Sequence, residues 1–395
     1  SDEIIYFCGR CGDLLEVRLE GLEDADNDKL FREWSRRSFT LWRYRELIPL
    51  SLSSVVSLNE GGTPLYRVDR VARWVGVKRL YVKFEGANPT GSFKDRGMSV
   101  GVSKAVELGK KAVICASTGN TSSSMSAYAA AAGLKAIVLV PSGKIATGKL
   151  FQTILYGAYT IALREGFDKA LDTVLSMHDF KDIYILNSVN AWRIEGQKTL
   201  AFELFEQMNH EEEYVVSIPV GNCGNIAAAW KGYTELVNLG ILDKPPRLFG
   251  IQAEGASPFA DMIINGRSTL EPVKQPSTIA SAIRIGKPVN WKKAVRAIRE
   301  SEGFAAKVSD KEIVEAQRAI AALEGIGVEP ASAASIAGVK KLINEGKLDK
   351  DAIAVCVATG TALKDPNPEL IQGLPLIEVD PQRKNIVDII RTLMG

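Results

Sequence analysis

The residues best suited to covalent chemistry lie in the run Asn88-Pro89-Thr90-Gly91-Ser92-Phe93-Lys94-Asp95-Arg96-Gly97. A lysine amine becomes a catalyst when it condenses with an aldehyde to form a Schiff base, and it can carry protons once it is displaced. A lone lysine is more often a solvated surface charge. Here three further segments supply groups that such a site needs, in a fixed order along the chain.

Ala116-Ser117-Thr118-Gly119-Asn120-Thr121 follows the apolar run Ala112-Val113-Ile114-Cys115 and precedes an alanine-rich helix expected from Ser122 to Ala132. A strand–turn–helix aims free backbone N–H groups and the positive helix end at one point, where a carboxylate fits. Asn120 adds an amide able to donate to a phenolic oxygen. Val220-Gly221-Asn222-Cys223-Gly224-Asn225-Ile226 follows a strand at 214–218 and opens a helix from Ile226 to about Leu239. Its glycines let the backbone approach an anion closely, and successive N–H groups form a phosphate cradle. Val355-Cys356-Val357-Ala358-Thr359 is a buried strand ending on a hydroxyl that could bond a pyridine nitrogen without protonating it. Taken singly, these are a capped turn, a glycine-bearing turn and a strand-end threonine. Together they describe a pyridoxal phosphate site in which Lys94 and its neighbour Phe93, Asn120, Gly221, Asn222, Cys223, Gly224, Asn225 and Thr359 hold the cofactor.

The four segments resemble the fold-type II pyridoxal phosphate family, which includes tryptophan synthase β chain and threonine dehydratase. Within it, Glu60-Gly61-Gly62-Thr63-Pro64-Leu65 and the stretch Asn187-Ser188 to Arg193-Ile194-Glu195-Gly196-Gln197-Lys198-Thr199 are similar to threonine synthase signatures of the archaeal, Thermus-like and plant type. The segments Leu41 to Leu47, Ala280 to Gly286 and Glu329 to Ser335 also read like that group, so the likeness runs from about Ile5 to Pro366. It implies an α/β fold of two three-layer domains with mostly parallel twisted sheets. Residues 59–96 and 191–365 would form the large cofactor-binding domain, and 97–190 a small mobile one. It implies O-phospho-L-homoserine as substrate, with L-threonine and phosphate as products and Lys94 as the catalytic base. Ser117, Thr118 and Thr121 would hold the substrate carboxylate, while Asn187, Ser188 and Arg193 would clamp its phosphate. A homodimer is usual for such enzymes. A cysteate synthase acting on O-phosphoserine and sulfite would keep the same clamp. A threonine or serine dehydratase would find it surplus, and the intact lysine and phosphate loop argue against a non-catalytic metabolite sensor.

The elements that must position these groups follow from pattern. Apolar runs at 80–84, 112–116, 136–140, 158–162, 183–186, 214–219, 248–252 and 353–357 alternate with helical stretches, which predicts parallel sheets with right-handed crossovers. Ala201, Leu204, Phe205 and Met208 have helical spacing and read as core. Residues 1–58 form an extension with two short strands and a charged aromatic segment that should pack on the main body or a second subunit, and 366–395 form a tail.

The chain has 395 residues, 46% hydrophobic and 24% charged, enough for two cores. A net charge of +2 offers no stripe for nucleic acid or an acidic membrane surface, and no apolar run is long enough to span a bilayer. Five cysteines without a pairing framework, and no visible targeting segment, point to a reducing cytoplasm. Only two histidines, His178 and His210, argue against histidine-ligated zinc and Ser-His-Asp chemistry. Cys8-Gly9-Arg10-Cys11 looks like half of a zinc ribbon whose other half is lacking, so no metal is expected. Gly143 to Lys149 nearly makes a nucleotide loop, but Leu150 takes the hydroxyl position, and the segment reads as a helix start.

Overall fold

The computed structural model describes residues 4–142, 147–164, 167–178, 180–208, 213–366 and 383–394. Two sheets organise the body. The larger contains β1 (Leu65–Arg67), β2 (Arg79–Phe84), β7 (Val215–Pro219), β8 (Arg247–Ala253), β9 (Phe304–Val308) and β10 (Ile353–Ala358), in the order β1-β2-β10-β7-β8-β9. Only the β1–β2 pair is antiparallel. The smaller contains β3 (Ala112–Ala116), β4 (Lys135–Pro141), β5 (Tyr159–Leu163) and β6 (Ile183–Ile185), all parallel, in the order β5-β4-β3-β6.

The central strands β7 and β10 are buried at every residue, because helices cover both faces of a parallel sheet. One face packs on Phe202, Ile226, Trp230 and Tyr233. The other packs on Ile313, Ile320, Ile336 and Val339. The smaller sheet has its own core around Val113, Ile114, Tyr128, Val138 and Leu186.

The eight expected strands are present, and the structure adds two. β1 is three residues long, and β9 (Phe-Ala-Ala-Lys-Val) carries little strand preference of its own; pairing with β2 and β8 makes them strands. The two short strands expected in the extension reduce to a single bridge, Phe7 to Leu14, around the Cys8–Cys11 turn. The extension docks on the body through aromatics. Tyr6 Oη accepts from Ile185 N at 3.0 Å on the smaller sheet. Trp34 and Tyr44 are buried, with Tyr44 5.3 Å ring to ring from Phe202. The residues Pro366–Gly395 form a separate unit whose described part is Pro366 and the helix Arg383–Met394. His210 and residues 143–146 lie outside the described residues.

This topology places the site. Lys94 follows β2, Thr359 follows β10 and the Gly221–Asn225 loop follows β7, and these three strands are neighbours. Their carboxyl ends therefore open on one crevice.

Candidate active site

The Lys94 segment is fastened to the end of β10. Phe93 N donates to Thr359 O at 2.9 Å, and Ser92 bridges Gly360. Lys94 begins the helix Lys94–Glu107, and Ala191–Gln197 is the helix bearing Arg193. These two helices cross closely because their contact is glycine. A Cβ on Gly196 would stand 1.9 Å from Arg96 O, and one on Gly97 would stand 3.0 Å from Arg193 O. Side chains there would push Lys94 and Arg193 apart.

Lys94 is partly open to the crevice, and its amine sits 4.1 Å from the Phe93 ring centroid. No described residue gives it a hydrogen bond or an ion pair. Burial, helped by the nearby Arg193 charge and opposed by Glu329, pushes its pKa down to about 7. A large share of it is therefore a neutral nucleophile near neutral pH. Arg193 is 2% exposed and donates through Nη1 to Leu186 O at 3.1 Å. Its Nε has no partner, and no carboxylate pairs with it among the described residues. Burial lowers its pKa to about 10. A buried, unpaired guanidinium is costly unless an anion completes it.

The crevice is lined by Phe93, Lys94, Ser188, Arg193, the loop Gly221–Asn225 and Thr359. Asn190, Gln197, Ala282 and Ile283 also line it; sequence reading assigned them no role in the site. A Cβ on Gly221 would meet Ala282 O and Ile283 Cα at 3.1 Å each, so the Ala280–Gly286 motif is the wall that keeps this loop backbone bare. Cys223 caps the following helix at φ 64°, a left-handed conformation that turns successive N–H groups into a concavity. Asn225 Nδ2 is buried without a partner. These loop donors, with the unpaired Lys94 amine, fit the phosphate and aldehyde of pyridoxal phosphate.

Ser117, Thr118, Asn120 and Thr121 are half-buried at the start of the helix Asn120–Ala131, at the end of β3, and are not among the residues lining that crevice. Asn120 Nδ2 donates to Glu329 Oε2 at 2.9 Å, and its second N–H remains for a ligand. Asn187 is occupied with Ala116: its Oδ1 accepts from the backbone N–H and its Nδ2 donates to the carbonyl, both at 3.1 Å. It therefore holds the end of β3 in place, with one side-chain N–H left over. Thr359 Oγ1 lies 2.9 Å from Glu329 Oε1 and 3.0 Å from Ser332 Oγ. Glu329 opens a family-like segment of the sequence, but its carboxyl was given no role there, although an acid immediately before a helix-starting proline was a usable cue.

The rest of the Lys94 motif is scaffolding. Asp95 accepts from Thr90 N, Thr90 Oγ1 and Ser124 Oγ at 2.6, 2.6 and 2.5 Å; burial lifts its pKa to about 6 despite these bonds. Arg96 is buried between Glu85 and Glu203, and Lys83 Nζ reaches Glu203 at 2.6 Å. Of the Glu60–Leu65 motif, Glu60 accepts from Trp42, Tyr128 and Leu58, and Gly62 fits only because a Cβ would lie 1.7 Å from Phe39 O. Cys8 and Cys11 lie on the turn between Phe7 and Leu14, and among the described residues no three His, Cys, Asp or Glu side chains cluster as metal ligands.

Residues 56–360 match the family described as pyridoxal-phosphate dependent enzyme. This chain belongs to that family. Curated relatives place it further. A threonine synthase of Methanocaldococcus jannaschii is 50% identical over 99% of this chain and 96% of its own length. One of Methanosarcina acetivorans is 49% identical over 92% of this chain and 89% of its own. One of Mycobacterium tuberculosis is 47% identical over 86% and 92%. The resemblance drawn from the Asn187–Thr199 signature and its companion segments is thus borne out. Among solved structures, threonine deaminase isoform 2 of Solanum lycopersicum superposes with a TM-score of 0.66 at 19% identity, covering 93% of this chain and 90% of that one. Maize serine racemase gives 0.65 at 20% identity over 84% and 94%. These two show the shared α/β fold.

Proposed function

We propose that this chain is a threonine synthase, converting O-phospho-L-homoserine and water into L-threonine and phosphate. The observation that carries the reading is Arg193: a buried guanidinium without a carboxylate partner, sharing a crevice with an unpaired lysine. A dehydratase has no leaving phosphate for such a cation. The relatives at 47–50% identity carry the same name.

Lys94, Phe93, Asn120, Gly221, Asn222, Cys223, Gly224, Asn225 and Thr359 would hold pyridoxal phosphate. When bound, that cofactor supplies a conjugated electron sink for charge developing at the substrate Cα and Cβ. Lys94 would carry the proton transfers: its neutral amine takes the proton from Cα, gives it back to the cofactor–substrate adduct, and is then free again to take one from Cβ. Arg193 and Ser188, with one Asn187 N–H, balance the phosphate charge as it leaves Cγ. Water then adds at Cβ. The orphan N–H groups at the start of the Asn120–Ala131 helix, with Ser117, Thr118 and Thr121, orient the carboxylate.

We also assign 59–96 and 191–365 to a large domain and 97–190 to a small one that moves onto it. The boundary at 96/97 falls in the first turn of the helix Lys94–Glu107, which would make that helix the hinge. A homodimer in the cytoplasm is the expected form. No helix among the described residues is long and apolar enough to cross a membrane.

The test is product analysis with O-phosphohomoserine, beside O-phosphoserine plus sulfite. Threonine and phosphate from the first alone are expected. Cysteate from the second pair would replace this reading with a cysteate synthase.

A further inference from the structure

Glu329 is 1% exposed and precedes the helix Pro330–Asn344. Its carboxyl bonds the two side chains assigned to opposite edges of the cofactor ring: Asn120 through Oε2 and Thr359 through Oε1. A Cβ on Gly360 would fall 2.8 Å from its Cδ, so the backbone itself confines the group. The charged groups whose fields reach it are Lys94 on the adjoining helix start and Lys364 and Asp365 on the segment after β10. None of them forms an ion pair with it among the described residues.

We propose that Glu329 is a positioning residue that decides whether Thr359 offers a donor or an acceptor at the nitrogen edge of the cofactor ring. The proposal rests on Thr359 facing that nitrogen, as in the function proposed above. The reasoning is a count of protons. A threonine hydroxyl has one proton and two lone pairs. Ser332 Oγ, the other neighbour of Thr359, already accepts from Gly360 N at 2.9 Å and has Gly360 O at 3.1 Å for its own proton. If Glu329 is ionised, the Thr359 proton goes to Oε1, and only lone pairs face the crevice. If Glu329 carries a proton on Oε1, it donates to Thr359, whose own proton is then free for the ring nitrogen. Asn120 donates to Oε2 in both states and keeps the carboxyl from rotating. Burial without an ion pair favours the acid form and raises the Glu329 pKa. Loss of that single proton reverses the Thr359 hydroxyl.

The test loads ring-15N pyridoxal phosphate into the parent enzyme and the variants Glu329→Gln, Glu329→Leu and Thr359→Val. The nitrogen resonance and the cofactor dissociation constant are followed from about pH 4, within the ordinary carboxylate range, up to about pH 9. The parent resonance should move with pH. Glu329→Gln copies the acid, with an N–H for Thr359 and a carbonyl for Asn120. It should hold the parent's low-pH resonance throughout, with cofactor affinity within about threefold of the parent. Glu329→Leu should displace the resonance and weaken cofactor binding about tenfold. A parent resonance that does not move, or a Gln variant that titrates like the parent, overturns the proposal while leaving the function intact. A Thr359→Val resonance identical to the parent's would instead remove Thr359 from the ring nitrogen, and with it that part of the functional reading.

Discussion

Two basic residues on neighbouring helices, Lys94 and Arg193, share the chemistry in the proposed reading, and neither is neutralised by a described residue. Because the Lys94 pKa is pushed down to about 7, its amine is neutral above that pH and protonated below it. Capture of pyridoxal phosphate by the enzyme without cofactor should therefore slow as pH falls through about 7 and level off above it. Stopped-flow absorbance measures this, and a midpoint near the ordinary lysine value would contradict the burial argument. Replacing Arg193 with alanine should lower kcat/KM for phosphohomoserine about a hundredfold or more, the scale of a lost charge-assisted phosphate contact, while cofactor absorbance persists. Retained turnover would remove it from the clamp. Both residues were legible as types at a spacing. The role of Glu329 was not, because it is brought to Thr359 by the Val328–Thr361 bridge and by Glu329 N donating to Gly360 O at 3.0 Å, long-range pairings that no local pattern encodes.

At the scale of elements, the close crossing of the helices Lys94–Glu107 and Ala191–Gln197 sets the distance between those cations. Gly196→Ala should cost about 2 kcal/mol or more, since its Cβ would lie 1.9 Å from Arg96 O and the helices must separate. Urea unfolding reads that cost, and weaker cofactor retention should accompany it. An unchanged midpoint would mean that the crossing yields without strain. The strands of this fold were readable wherever they are buried on both faces, since such strands are continuous apolar runs of Val, Ile and Ala. β1 escaped because it is three residues long and β9 because Phe-Ala-Ala-Lys-Val carries little strand preference; both are edge strands defined by pairing with β2 and β8. The family motifs at Leu41–Leu47 and Glu60–Leu65 were visible as words but silent about role. The structure gives them the task of bracing the Lys94 helix, through Trp42 Nε1 to Ser99 Oγ at 3.0 Å among other contacts.

At the scale of the whole molecule, the body is held at its centre by a balanced set of buried charges: Lys83 and Arg96 against Glu85 and Glu203. Glu203→Ala leaves two cations facing one carboxylate and should destabilise the fold by about 3–5 kcal/mol. Burial alone would raise the Glu203 pKa, but the Arg96 and Lys83 charges overcome it and hold the carboxyl down to about 2. A depressed carboxylate stabilises the fold fully above the unfolded value, near 4.5, and that contribution fades as pH falls toward about 2. Thermal unfolding should therefore show a loss of stability over that acid window that Glu203→Ala largely lacks; equal acid sensitivity in parent and variant would assign the loss to other groups. The alternation of strands and helices announced parallel sheets, and only β1 runs antiparallel among them. The balance of buried charge could not be seen in a chain whose net charge is only +2, because compensating pairs cancel in any count.

The central claim is that the amine at position 94 carries the cofactor. Saturate the purified enzyme with pyridoxal phosphate, reduce with borohydride, digest, and map the modified peptide by mass spectrometry. A single pyridoxyl group on Lys94, lost in Lys94→Ala along with the imine absorbance, is the predicted result. A label on another lysine, or no label on a protein that turns over phosphohomoserine, would contradict the account.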